Sequence, residues 1–153
     1  MRGGDLITRL IDARTSQNAS YANSISVPIL LGEQELFGRV VLLTNGATGL
    51  LRTQLNGTVT VQLPLLPVVT SVTVTIVRGF VPTDLVIYSA RESLDLSIAG
   101  PQVISFTASD FRVPIPADNR LPYTAFISAD AVGTFRVGPE SFNAAVYSDQ
   151  PLG

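Results

Sequence analysis

The side chains of this chain that can take part in chemistry are carboxylates, hydroxyls, four tyrosines and ten basic residues, every one an arginine. Histidine, cysteine, lysine and tryptophan do not occur among its 153 residues. The usual general base, the thiol nucleophile and the soft metal ligands are therefore missing, and carboxylate chemistry is what remains. Glu33 and Glu35 are two apart, as neighbouring side chains on one strand face are, and paired carboxylates of this kind are what a hydrolase uses. Gly32-Glu33-Gln34-Glu35 lies between two apolar runs, however, and reads more economically as a solvated turn. Asp84, Glu92 and Asp95 are separated by strand residues and by Arg91, which suits surface ion pairs of small worth. A calcium loop needs closely spaced oxygen ligands, and no such run is present. Asp118, Asn119, Arg120 and Asp130 read as a turn and a salt bridge ahead of an ion site. The expectation is a protein with no catalytic, cofactor or metal residues, and not an enzyme.

Seven phenylalanines and four tyrosines could line a ligand groove. Phe106, Phe135 and Phe142 fall inside apolar alternation, which makes them core or interface anchors first. The lack of tryptophan also weakens a sugar-binding reading. Asn18-Ala19-Ser20 and Asn56-Gly57-Thr58 match the glycosylation acceptor pattern, but Asn-Gly before a strand is foremost a tight-turn signal.

The elements that must carry these residues are strands. Gly57 to Leu63 and Ser71 to Arg78 alternate apolar with hydroxyl or amide residues at period two. From Ser24 onward, strands and turn signals alternate every eight to twelve residues: Ser24 to Leu31, Glu35 to Thr44, Leu50 to Leu55, Thr58 to Leu63, Ser71 to Arg78, Asp84 to Arg91, Ser93 to Ile98, Gln102 to Phe106, Tyr123 to Ser128, Val132 to Val137 and Ser141 to Tyr147. Asn45-Gly46, Asn56-Gly57, Pro64 with Pro67, Gly79 with Pro82, Gly100-Pro101, Asp118-Asn119 and Gly138-Pro139 punctuate them. No helical crossover pattern intervenes, so the fold class is all-β, a jelly-roll β-sandwich over residues 24–153. Val113-Pro114-Ile115-Pro116 reads as an extended connection across one end.

Residues 1–23 form an N-terminal connector arm. Leu6-Ile7 and Leu10-Ile11 recur at a spacing of four, which would put them on one helical face, yet Gly3-Gly4 and the run from Thr15 to Ser20 leave barely two turns. Whether the arm is helical or extended stays open. Too few to form a core, Leu6, Ile7, Leu10 and Ile11 are expected to make a subunit contact by docking on a neighbouring copy, by strand addition or by insertion into a cleft.

Composition points the same way. A hydrophobic share of 46% with 14% charge and a mean hydropathy of +0.36 predict that part of the surface is lost to subunit contact, in a homotrimer before a dimer. The formal charge is −2 and no basic run exceeds one residue, so nucleic acid is not an expected partner. No segment reaches about eighteen apolar residues, and the first ten lack a secretory signal's apolar stretch. No membrane partner is expected, and export, if it occurs, would use something other than a standard signal.

Ser26-Val27-Pro28-Ile29, Gly57-Thr58-Val59-Thr60-Val61, the run from Val72 to Arg78, Val103 to Asp110, Val137 to Phe142 and the opening Thr8-Arg9-Leu10-Ile11-Asp12 together resemble the cysteine-free exosporium and endospore-appendage proteins of spore-forming bacilli. The resemblance covers nearly the whole chain and rests on order and texture. It implies a jelly-roll subunit, similar to trimeric tumour-necrosis-factor-like heads, that stacks head to tail into a spore-surface fibre through its N-terminal segment, with an anchor protein at the spore surface. The chain departs from other spore fibres in lacking a collagen-like repeat and a cysteine-rich connector, so covalent cross-linking through cysteine is out of reach. The alternative is a trimeric ligand- or receptor-binding head of a surface or phage fibre.

Overall fold

The computed structural model describes residues 6–151, and their regular elements are all β-strands. In chain order these are β1 (Leu6–Ala19), β2 (Val27–Pro28), β3 (Glu35–Leu43), β4 (Leu50–Gln62), β5 (Ser71–Arg78), β6 (Leu85–Ser93), β7 (Gln102–Val113), β8 (Arg120–Ala129) and β9 (Phe135–Pro151). They form two antiparallel sheets. One has the order β1-β9-β4-β7, with the two-residue β2 also paired to β9; the other has the order β3-β8-β5-β6. Apart from β1 and β2, and from β5 and β6, which share a sheet, consecutive strands alternate between the sheets in the double Greek-key pattern of a jelly roll.

The core lies between the sheets and follows from the period-two patterning. Leu51, Leu55, Val59 and Val61 of β4 face Val72, Val74 and Ile76 of β5 and Leu121, Tyr123, Ala125 and Ile127 of β8, all buried in one cluster. Phe106 anchors one side of it. Its ring packs edge-on to Phe37 at 6.0 Å and tilted against Phe142 at 6.4 Å between centroids. Thr60 and Thr75, the hydroxyl members of that alternation, are buried as well, and Thr60 donates to the Pro139 carbonyl at 3.0 Å.

Several expected breaks lie inside strands. Asn56-Gly57 is the middle of β4, with Gly57 opposite Phe106 on one side and Phe142 on the other. A side chain there would run into the Phe106 ring and lie 2.6 Å from the Ser141 carbonyl. This glycine makes room for a ring, and turn formation is not its role. Gly138-Pro139 likewise lies within β9. The ladder to β4 slips there, pairing Val59 with Glu140 and Val61 with Arg136, while Gly138 holds φ +84°. β9 absorbs the irregularity as a bulge and continues. By contrast, of the strand expected from Ser93 to Ile98 only Ser93 is in a strand, at the end of β6, and Leu94 to Ile98 is a turn in which Ile98 donates to the Asp95 carbonyl. Between Ser24 and Leu31 only Val27–Pro28 pairs. Pro114 to Pro116 joins β7 to β8 without ladder pairing, as its prolines require.

The Gly57 environment makes a prediction. Gly57→Ala is expected to lower unfolding stability by about 1–3 kcal/mol through overpacking against Phe106 and the Ser141 backbone. Gly100→Ala, which meets open space, is expected to leave the denaturant midpoint nearly unchanged. Equal midpoints for the two variants would refute the packing argument.

Candidate functional site: the two ends of the sandwich

The carboxylates considered for chemistry do not converge. Glu33 is exposed in a turn closed by its own N–H donating to the Leu30 carbonyl, and Glu35 opens β3 opposite Ile127. Asp84 accepts the backbone N–H groups of Phe80 and Val81 at 2.8 and 3.0 Å, and those donors, Val81 first, hold its carboxyl below the ordinary value. Asp95 accepts the Ser97 hydroxyl and N–H, which lower it in the same way. Both are turn-closing residues. Arg91 pairs with Asp130 at 3.0 Å in an exposed bridge, and Glu92 stands apart. Asp118 accepts the Arg120 N–H ahead of β8, whereas Asp130 follows that strand and accepts the Ser71 N–H. The ten residues of β8 hold the two aspartates roughly 30 Å apart, so they share no ion. Among the described residues no group of three or more acidic side chains is placed to hold a metal.

Two buried ionic clusters were not foreseen, because their members are far apart in sequence or separated by a bulge. Arg78 of β5 donates twice to Asp110 of β7, at 2.8 Å to each oxygen. The Tyr123 hydroxyl lies 2.7 Å from Asp110 and 2.9 Å from Thr53. A carboxylate only accepts, so the tyrosine proton goes to Asp110 and the Thr53 hydroxyl donates to Tyr123. Two residues from each sheet are thereby tied across the sandwich. Burial pushes the Tyr123 hydroxyl well above its ordinary value, which keeps that donor in place, and the bond to Asp110 raises Arg78. In the second cluster Arg136 donates to both oxygens of the fully buried Glu140 at 2.6 and 2.7 Å, and the Asn18 amide adds a third bond at 2.8 Å. Both carboxylates are saturated by bidentate arginine, an arrangement suited to holding strands and unsuited to proton transfer.

The expected arm is an edge strand of its own chain's sheet. β1 pairs with β9 from Leu6 opposite Pro151 to Ala19 opposite Glu140. Residues 1–5 and the side chain of Leu6 lie outside the described residues. The register slips at Ile11, which turns inward against the core, while Ile7 and Leu10 are exposed. Asp12 fastens β1 to the other sheet by accepting the Leu43 N–H at 2.8 Å. Burial alone would raise the Asp12 carboxyl, but the Leu43 N–H and Arg14 bring it below its ordinary value. Asp149 of β9 is lowered by Arg52, at 2.9 Å, and by the Thr8 hydroxyl. Of the aromatic anchors, Phe106 and Phe142 are core, whereas Phe135 is half-exposed and lines a 420 Å³ groove with Ser26, Gln62, Leu63, Pro64, Leu65 and Val137.

The exposed apolar side chains gather at the two ends. At one end lie the connections 29–34, 63–70, 94–101 and 130–134. They carry exposed Leu30, Leu31, Val68, Val69, Leu96, Ile98 and Val132, and Leu65 and Leu66 stand 99% and 89% exposed. At the other end, where Leu6 meets Pro151, Ile7, Leu10, Leu50, Phe80, Val81, Leu85 and Phe111 are exposed. Surface of this kind, gathered and uncharged, marks contact with something else.

No protein-family model matches the chain, and no curated protein matches it. Solved structures do. Dimeric latent PorU from Porphyromonas gingivalis superposes with a TM-score of 0.52 at 14% identity over 97% of this chain and 14% of that one. The infectious bursal disease virus Gt strain structure gives 0.43 at 9% identity over 95% and 37%, and Eiger TNF from S. frugiperda gives 0.38 at 13% identity over 99% and 97%. This chain therefore spans a minor part of the first two. At such identities the likeness concerns the fold alone, which is the jelly roll read from the strand order.

Two predictions arise here. Arg136→Met leaves the Glu140 carboxylate buried without its partner and is expected to cost about 3–5 kcal/mol, whereas Arg136→Met with Glu140→Leu is expected to recover most of that loss in chemical denaturation. Asp12 and Asp149 have folded-state pKa values below their unfolded values of about 4, so the stability they give β1 is present above that pH and lost as pH falls through the folded values. Hydrogen exchange in β1 is accordingly expected to rise at about pH 2.5 relative to pH 6, after correction for intrinsic rates. In Asp12→Asn with Asp149→Asn the loosening should already exist at pH 6, and identical profiles for variant and parent would contradict the assignment.

Proposed function

We propose that this chain is a structural protein without enzymatic activity, the self-assembling subunit of a fibre on the surface of spores, joined head to tail and organised as a homotrimer. The observation that carries the reading is the pair of exposed apolar ends, above all Leu65 and Leu66, on a body whose candidate carboxylates are spread out or engaged in holding strands. The resemblance of its segment order to that of cysteine-free spore appendage proteins supports the place, outside the cell on the spore, and an anchor protein there. Of the arm residues, Ile7 and Leu10 face solvent and touch the neighbouring copy, while Ile11 stays with its own core. Burying an aliphatic side chain yields roughly 1.5–3 kcal/mol before ordering costs, and three copies acting together make release slow.

A second reading, a trimeric ligand-binding head, is favoured by the groove beside Phe135. It takes an apolar extended ligand against Leu63, Pro64 and Val137.

Negative-stain microscopy of the purified chain separates the readings: filaments are expected, and uniform discrete particles would favour the head. With no cysteine present, reductant is expected to leave filament length unchanged. Ile7→Ser with Leu10→Ser is expected to shorten filaments at least severalfold while far-ultraviolet dichroism stays that of a β protein, and full-length filaments from this variant would refute the arm contact.

A further inference from the structure

The two ends of the sandwich differ in charge as well as position. At the loop end Glu33, Glu35, Glu92 and Asp95 have no arginine within ion-pair distance among the described residues, and the arginines there, Arg91 and Arg136, are taken up by Asp130 and Glu140. The termini end is the reverse. Arg9, Arg112 and Arg120 lie there, and Arg39 reaches toward it from the middle of β3 by donating to the Phe80 carbonyl, all without a carboxylate partner among the described residues, whereas Arg52 and Arg78 are neutralised by Asp149 and Asp110. Asp84 and Asp118 also sit at that end, each turned back onto its own backbone, so the basic groups outnumber them. β4 alone has thirteen residues, roughly 40 Å of strand, so the poles are well separated along the strands.

Both poles are apolar at their tips. The segment Leu63-Pro64-Leu65-Leu66-Pro67-Val68-Val69 holds no charge, and its prolines keep it out of either sheet. A membrane of anionic lipid would be repelled by the acidic flank, and a second loop end would bring like charges together. The termini end of another copy satisfies both conditions, offering arginines to the acids and Ile7, Leu10, Leu50 and Phe111 to the leucines.

We infer that the loop end, with Leu65 and Leu66 at its tip and Glu33 and Glu92 on its flank, is the surface that receives the termini end of the next copy. The inference rests on the head-to-tail reading above and names the receptor for it. Such a contact joins two different surfaces, so it repeats along an axis and does not close on itself as a two-fold contact does. Its charged flank makes association fall with salt.

The test uses the full chain and sedimentation velocity across a concentration series. Leu65→Ser with Leu66→Ser alters fully exposed loop residues, so the fold is expected to persist by dichroism while the concentration needed for half association rises at least tenfold. Arg112→Glu with Arg120→Glu, and separately Glu33→Arg with Glu92→Arg, are each expected to abolish self-association. Mixing the two charge variants is expected to restore it, because the reversed ends are complementary again. Unchanged association of the leucine variant, or a mixture that associates no better than its components, overturns the inference, and if parent filaments still form then the fibre reading stands without it. A parent chain that stays monomeric at every concentration overturns both.

Discussion

The hydrogen-bonded ladders that β9 makes with β1 on one side and β4 on the other are the constraint on which the rest of the molecule depends. Seventeen residues long, β9 fixes the register of the whole first sheet. It presents Phe142, Ala144 and Val146 to the core and carries both members of the Arg136–Glu140 pair across its bulge. It also sets the axis. Pairing Leu6 with Pro151 and Leu50 with Asp149 gathers the strand ends nearest the termini at one pole, so the four connections rich in leucine and valine are left at the other. The segregation of exposed apolar groups is thus a consequence of strand order.

Arginine serves this architecture where lysine would not. Two carboxylates, on Asp110 and Glu140, are buried between or beside strands, and each is met by a planar guanidinium that occupies both oxygens at once. A single ammonium cannot satisfy both oxygens with the same fixed geometry. Tyr123, Thr53 and Asn18 complete the remaining hydrogen-bonding capacity. The gain is specificity of pairing between strands more than net stability, since a buried pair offsets little beyond its own desolvation.

The fold class was legible because β4 and β5 carry period-two alternation with β-branched residues, and because nothing between strands is long enough for a helical crossover. The strand limits were not, and the reason is specific. Glycine and proline signal a turn when the backbone needs freedom, but Gly57 is glycine because Phe106 fills the space above it, and Gly138-Pro139 marks a bulge. The two leucine–isoleucine pairs of β1 mimic a helical face, whereas a one-residue slip at Ile11 sets an inward side chain beside outward ones. The ionic clusters were hidden for a simpler reason: Arg78 and Asp110 are 32 residues apart and become neighbours only when the two sheets close. The apolar loop from Leu63 to Val69 stood in plain view, but its exposure depends on the prolines holding it outside both sheets.

The pairing of the first strand with the last has a temporal side. During synthesis β1 leaves the ribosome well before β9, so the outer ladder of the first sheet forms only once β9 has followed it. Contacts of such long sequence separation place this fold among the slow ones. Throughout that interval β1 is an unpaired edge strand whose eventual partner exists already on every finished copy. Local crowding of nascent and mature chains then decides between closure within one molecule and exchange between two, since the intramolecular partner competes at an effective concentration set by the intervening chain.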